Sequence, residues 1–265
     1  VTTGDSAVLA RSPLHPIVLA AGLGSRLGKA TNGRHKCLVA VGGQPILARA
    51  LDTFVASGIR DVTVVVGHLG DQVVEFARQW SNRLRFEFAW NDRYADTGTS
   101  QSLASGLAAV GPGHDILIVE ADVAFDRRAL VRLLTADAPD ATLVASFEPP
   151  MSGSAVVCDP ASRVVDWLHV SDQGSDFRHE GAFKTVNLTR LHAATVPALD
   201  RALSAVLAMR RDAPLEYAMR SLVRDHHADI VAVDVRDAPW FEVDTPADLR
   251  IARQVFRQTM TEGGI

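Results

Sequence analysis

The sequence predicts an α/β protein whose sheet is mixed but mainly parallel, with helices on both faces. Three observations carry this. Apolar runs of strand length alternate with amphipathic helical patterns from Pro16 to Phe147, the rhythm of a parallel sheet covered on both sides. The runs Pro16 to Ala21 and Asp61 to Gly67 are apolar almost throughout, as strands buried on both faces are. A glycine-rich stretch, Gly22 to Gly43, directly follows the first run, where open α/β sheets hold ligands.

Each element has its own signal. After the first strand and the glycine-rich stretch, Pro45 opens a helical pattern through Ile46, Leu47, Ala50, Leu51, Phe54 and Val55 that stops at Gly58. The strand Asp61 to Gly67 precedes a helix from Asp71 to Trp80. Leu84 to Trp90 reads as a strand, Ser100 to Val110 as a helix, Asp115 to Glu120 as a strand, Arg127 to Leu134 as a helix and Ala141 to Phe147 as a strand. From Met151 the pieces shorten: Ser154 to Cys158, Arg163 to Val170 and Phe183 to Leu191 read as strands, with a polar loop from Ser171 to Glu180. Helices near Pro197 to Arg210 and Leu215 to Asp225 follow, then a strand from Asp229 to Val235. A short strand leads into Thr245-Pro246 and a last helix to about Thr259, opened by the capping-box spacing of Thr245 and Asp248. The expected organisation is an N-terminal extension (1–15) and one domain (16–260), with a ligand-binding half (16–150) and an elaborated half (151–260).

Composition narrows the partners. The chain has 265 residues, 47% hydrophobic and 22% charged, with 27 basic and 31 acidic residues for a net charge of −4. That supports a sizeable core and gives no global field for nucleic acid or an anionic membrane. Only Lys29, Lys36 and Lys184 are lysines, so 24 of the 27 basic residues are arginines. The alanine and arginine bias points to a GC-rich genome, in which a surviving lysine marks a place where arginine's wide fork does not fit. Cys37 and Cys158 sit in apolar runs, without zinc or disulfide spacing. Val1 to His15 lacks a signal pattern, and no apolar run approaches the roughly 18 residues of a membrane span. A cytoplasmic location is expected; oligomeric state is not legible.

The glycine-rich segment Leu19-Ala-Ala-Gly-Leu-Gly-Ser-Arg-Leu-Gly-Lys29 has three phosphate-loop readings. A dinucleotide fingerprint needs glycine where Leu27 stands. A Walker A loop fails on spacing and on Ala30, which replaces its hydroxyl. An open loop whose backbone N–H groups approach phosphate oxygens survives, and it carries Arg26, Lys29 and Lys36. Two acidic strand ends complement it. Ile118-Val-Glu-Ala-Asp-Val-Ala-Phe-Asp126 gives Asp126 the role of helix cap and leaves Asp122 without one. Trp240-Phe-Glu-Val-Asp-Thr-Pro246 likewise leaves Asp244 beside the cap Thr245. Two strand-end carboxylates near a phosphate loop suit Mg²⁺, which takes one or two carboxylates plus phosphates and water.

Val18-Leu-Ala-Ala-Gly-Leu-Gly-Ser-Arg-Leu-Gly and His35-Lys-Cys-Leu-Val-Ala-Val-Gly-Gly-Gln-Pro-Ile-Leu47 resemble the signature loop of nucleotidyltransferases that activate sugar phosphates and related small phosphates. His35 replaces the usual proline before the lysine. The resemblance spans about Pro16 to Val255. It is nearest to bacterial cytidylyltransferases acting on phosphonates and phosphocholine, through the Glu-Ala-Asp segment and Phe183-Lys-Thr-Val-Asn-Leu188. It implies a Rossmann-like, nucleotide-diphospho-sugar transferase-like fold and transfer of CMP from CTP to a small phosphonate or phosphate, with pyrophosphate leaving. It implies catalytic roles for Arg26 and Lys36, and nucleotide binding by Ala20, Ala21, Gly22, Leu23, Gly24, Ser25 and, more weakly, Lys29. It further implies Mg²⁺ on Asp122 and Asp244, and acceptor binding by Lys184. The nucleotide-side segment Tyr94 to Leu103 places Thr99 and Ser100 at the nucleotide, although they also stand where they would cap the next helix. Arg178 and Arg190 are further candidate cations for an acidic acceptor, and no spacing gathers the tryptophans and tyrosines into a choline box. The alternatives are a sugar-1-phosphate nucleotidyltransferase using dTTP or UTP, and a non-catalytic nucleotide-binding regulator.

Overall fold

The computed structural model describes residues 13–147, 151–174, 177 and 181–262, with side chains to 257; residues 1–12 of the expected extension and Arg178 lie outside the described residues. β1 (Leu14–Ala20) starts two residues before the expected strand. Two 3-10 turns, Ser25–Thr31 and Lys36–Leu38, lead to a hairpin of β2 (Ala40–Val41) and β3 (Gln44–Pro45). Then come α1 (Ile46–Ala56), β4 (Asp61–Val66), α2 (Gly70–Ala77), β5 (Arg85–Trp90), α3 (Thr99–Val110) and β6 (Asp115–Glu120). β7 (Val123–Phe125), α4 (Arg127–Leu134), β8 (Asp140–Ala145), β9 (Ala155–Cys158) and β10 (Val164–Leu168) follow. The chain continues through β11 (Ala182–Leu191), α5 (Val196–Met209), α6 (Leu215–Arg224), β12 (Ile230–Asp234), β13 (Trp240–Glu242) and α7 (Pro246–Glu262).

The main sheet runs β5-β4-β1-β6-β11-β8-β12, parallel except for β11. β11 is long enough to pair β8 along one edge while its other edge meets β9 at Ala182–Lys184 and β6 at Leu188–Leu191. This strand joins the two expected halves in one sheet. Alternate residues of β1 go to opposite cores. Val18 and Ala20 pack with Leu47, Leu51 and Phe54 of α1 and Leu130 of α4. Ile17 and Leu19 pack with Leu103 of α3, Leu203 of α5 and Leu222 of α6. That two-sided burial is why the run is continuously apolar.

Two features position the site. β7 and β13 form a separate antiparallel ribbon with Trp240 opposite Phe125, Phe241 opposite Ala124 and Glu242 opposite Val123. Val243 N–H closes it onto the Asp122 carbonyl at 2.9 Å, so Asp122 and Asp244 leave the ribbon side by side. β7 is missing from the expected elements because three apolar residues after a strand end carry no periodicity of their own. A third core joins Leu27 of the glycine loop to Val39, Val243, Leu249 and Phe256. Leu27 is fully buried, which stabilises by about 1.5–3 kcal/mol. That offsets the ordering of only one or two residues at roughly 1–2 kcal/mol each, so the loop is pinned at one point.

Among the described residues no helix is long and apolar enough to cross a membrane. Both cysteines are free, Cys37 buried and Cys158 half-buried.

Candidate active site

The glycine loop leaves β1 between two buried residues, Ala20 and Ala21, and an exposed stretch containing Gly22, Leu23 and Ser25. Gly24 adopts the left-handed conformation (φ 61°), and a Cβ there would lie 3.0 Å from Lys36 Cβ. Glycine is therefore required twice over, by its backbone and by the lysine stem lying against it. The backbone N–H groups from Gly22 to Arg26 meet no acceptor among the described residues.

Lys36 follows His35, which stands where related loops have proline. His35 has φ −60° and ψ 143°, and this φ is the one a proline ring would impose. Its imidazole Nδ1 accepts from Cys37 N–H at 3.2 Å, and its own N–H donates to Gln72 Oε1 at 3.0 Å. A buried side-chain cap and a backbone hydrogen bond thus hold His35 in a conformation that a proline could also adopt. Burial, reinforced by His68, lowers the His35 pKa to about 4. A depressed histidine contributes stability that is present above its unfolded pKa of about 6.5 and is lost as pH falls through its folded value. His35→Ala should cost at least about 1 kcal/mol at neutral pH. In urea unfolding its deficit should narrow between pH 7 and pH 4.5; a deficit that widens on acidification would refute this role.

Lys36 Nζ lies 2.8 Å from Asp122 Oδ2 and 2.6 Å from Asp244 Oδ1, the latter 208 residues away. Burial alone would lower its pKa, but the two carboxylates outweigh burial and hold the ammonium above its ordinary range. Arg26 Nη2 reaches Asp244 Oδ1 at 3.0 Å from an exposed position. Lys29 is exposed and forms no ion pair among the described residues. The four expected residues Arg26, Lys36, Asp122 and Asp244 are therefore brought together, and Lys29 stands outside them.

Glu242 is a carboxylate the sequence reading passed over. It precedes Asp244 by two residues, a spacing that puts both on one face of an extended chain. Asp122, Glu242 and Asp244 each offer an oxygen within 4.8 Å of the others. Among the described residues Asp122 Oδ1 is buried with no hydrogen-bond partner, and an ammonium already sits on two of the three residues. An oxygen-only donor set with an unsatisfied carboxylate fits Mg²⁺. Asp126 caps α4, accepting from Arg128 N–H at 2.7 Å, and Thr245 and Asp248 form the expected capping box.

Lys184 is 2% exposed; its ammonium pairs with Glu242 Oε2 at 2.8 Å and donates to the Thr185 carbonyl at 3.1 Å. Burial raises the Glu242 pKa, with the Lys184 charge opposing it, and burial with the Asp122, Glu216 and Glu242 charges raises that of Glu120. Asn187 donates to Glu242 Oε1 at 3.2 Å from a left-handed backbone (φ 60°), at an irregularity in the pairing of β11 with β8. No pattern in the sequence announces that conformation. A cleft of about 310 Å³ opens on the group, lined by Arg26, Lys184, Trp240, Glu242 and Asp244.

Three expectations are corrected. Ser100 is fully buried, and its hydroxyl donates to the Pro214 carbonyl at 2.8 Å, so its side chain cannot meet a nucleotide. Thr99 Oγ1 accepts from Leu215 N–H at 2.7 Å; it caps α6 rather than α3, whose preceding residue Gly98 supplies no side-chain cap. A Cβ on Gly98 would collide with the Ala213 carbonyl, so backbone packs on backbone here. Arg190 is buried, and its guanidinium donates to the carbonyls of Leu134, Ala136, Ala138 and Pro139; it braces the α4–β8 loop and is no acceptor cation.

A CMP-5'-(3-aminopropyl)phosphonate synthase of Streptomyces rubellomurinus is 37% identical over 248 residues, covering 91% of this chain and 38% of that protein. The bifunctional protein GlmU of Halorhodospira halophila is 29% identical over 226 residues, covering 85% of this chain and 45% of its own. The chain thus spans less than half the length of either curated relative. The solved CTP:phosphocholine cytidylyltransferase LicC of Streptococcus pneumoniae shares the fold, with a TM-score of 0.71 at 19% identity, covering 92% of this chain and 99% of that one. The family model of the MobA-like NTP transferase domain matches residues 16–245, which takes in the glycine loop, the ribbon and both of its aspartates: the chain belongs to the MobA-like NTP transferase domain family.

Proposed function

We propose that this chain is a cytidylyltransferase that moves CMP from CTP to the phosphonate, or phosphate, of a small acceptor. An acceptor oxygen attacks the α-phosphorus, the bond to the β-phosphate oxygen breaks, and pyrophosphate leaves with that electron pair. The observation that carries the reading is the meeting of Lys36 and Arg26 of the glycine loop with Asp122 and Asp244 of the ribbon. Phosphoryl and nucleotidyl transfer need positioning and charge stabilisation rather than a protein nucleophile.

In this reading the unpaired N–H groups of Gly22 to Arg26 take the triphosphate oxygens, with Ala20 and Ala21 as the floor. Arg26 and Lys36 balance charge that develops on the α-phosphoryl oxygens and on the leaving pyrophosphate. Lys29 makes at most an outer contact. Asp122 and Asp244, with Glu242, hold the divalent ion; when bound, it neutralises phosphate charge and polarises the reacting phosphoryl group. Lys184 has three donors, two of them engaged, and faces the acceptor's anionic group from the cleft wall. The relative named for CMP-aminopropylphosphonate synthesis supports CTP and a phosphonate acceptor. The non-catalytic alternative expects a lost arginine, lysine or aspartate, and all are present.

Pyrophosphate release should be measured with each of the four common NTPs against an aminoalkylphosphonate, phosphocholine and a hexose 1-phosphate, with and without Mg²⁺. Release with CTP and the phosphonate, dependent on Mg²⁺, is the expected result. dTTP or UTP with the hexose phosphate would replace this reading by the sugar-phosphate one, and no release in any arm would leave a nucleotide-binding regulator.

A further inference from the structure

The Lys36 ammonium stands on the carboxylates that a divalent ion would need. It contacts Asp122 and Asp244 at 2.8 and 2.6 Å, and the same two residues, with Glu242, form the oxygen cluster. An ammonium at that distance repels an incoming divalent ion strongly in a partly buried site. The other two cations of the group differ. Lys184 is itself buried and is fixed by half-buried Glu242 and the Thr185 carbonyl. Arg26, 69% exposed, makes one contact with Asp244 and can swing into solvent. Lys36 lies between these extremes, with a side chain 13% exposed. Its stem rests on Gly24, beside the row of unpaired backbone donors. Its charge therefore has a second place to go, at the edge of the loop that takes phosphate oxygens.

We propose that Lys36 is a resident counter-ion of the acidic cluster, which it must leave before Asp122 and Asp244 can accept a divalent ion. The inference rests on the nucleotidyltransferase reading and adds a coupling to it. Triphosphate oxygens draw the ammonium toward the loop and free the carboxylates, so nucleotide and metal strengthen each other's binding, and by linkage do so equally. Without nucleotide the cluster is a self-neutralised, weak metal site.

Two measurements on the whole chain test this. Mn²⁺ binding without nucleotide is followed by the EPR signal of the free ion in wild type, Lys36→Met and Asp122→Asn. Lys36→Met keeps the length of the stem and removes the charge. It should bind about tenfold more tightly than wild type, a modest fraction of what one charge at ion-pair distance exerts, while Asp122→Asn should bind more weakly than wild type. The second measurement needs no variant. Reductive methylation read by mass spectrometry resolves all three lysines of the chain, Lys29, Lys36 and Lys184. Saturating Mg²⁺ should accelerate modification of Lys36 several-fold and leave exposed Lys29 and buried Lys184 unchanged. Equal or weaker Mn²⁺ binding by Lys36→Met, or a Lys36 rate indifferent to Mg²⁺, would overturn the inference and leave the nucleotidyltransferase reading standing. If no form bound Mn²⁺ even with CTP present, both the inference and the metal-dependent reading would fall.

Discussion

Replacing Lys36 with alanine should lower kcat by about 10²–10³-fold, the usual cost of removing one preorganised donor aimed at charge that develops in the transition state. The prediction follows from position: the ammonium is the group that touches both strand-end aspartates and lies along the loop of unpaired backbone donors. Lys36→Arg should recover little, because the stem is pressed against Gly24 and the guanidinium is wider and planar. Steady-state pyrophosphate release with CTP measures both variants, and a thermal melt confirms that each remains folded. Near-normal turnover in Lys36→Ala would remove the residue from the reaction.

Lys184→Met should be the most damaging single substitution for stability. It leaves Glu242 uncompensated in a half-buried acidic group with Glu120 and Asp122, and breaking one side of a pair whose lysine is buried costs up to about 3–5 kcal/mol. In a chain of this size that is a loss of roughly 6–20 °C in Tm. The sign of the pH dependence is fixed by the carboxyl pKa. Burial raises Glu242, and Lys184 is the charge that restrains it. A carboxyl raised above its unfolded value, about 4.3, contributes stability that is fully present below that value and is lost as pH rises through its folded pKa. The deficit of Lys184→Met against wild type should therefore be larger at pH 8 than at pH 5. The double variant with Glu242→Gln should regain much of the loss, since removing both charges removes the penalty. A deficit independent of pH, or no recovery in the double variant, would mean that Lys184 acts through packing alone.

The parts of this protein legible in its sequence are those governed by periodicity and local capping. The two-sided burial of β1, the start of α4 at Asp126 and the box at Thr245 and Asp248 all follow from neighbours within a few residues. The scarcity of lysine led to Lys36 and Lys184, both of which stand at the acidic cluster. What was not legible is set by contacts across the chain. Thr99 caps a helix more than a hundred residues away, so its spacing to α3 misled. Arg190 and Lys184 share one strand, yet one braces a loop and the other faces the cleft, because six residues of strand separate their surroundings. Glu242 could have been found from its two-residue spacing to Asp244; the left-handed Asn187 could not.

The β7–β13 ribbon also determines how the site fails. Three facing pairs and one closing bond at Asp122 set the separation of two carboxylates that come from distant parts of the chain. Because side chains of extended segments alternate between faces, a slip of one residue in either arm sends its aspartate to the opposite side. Substitutions near the ribbon therefore grade the activity, whereas a one-residue insertion or deletion within it abolishes the site in a single step. The ribbon acts as a counting device, and length variation is admissible only beyond its ends.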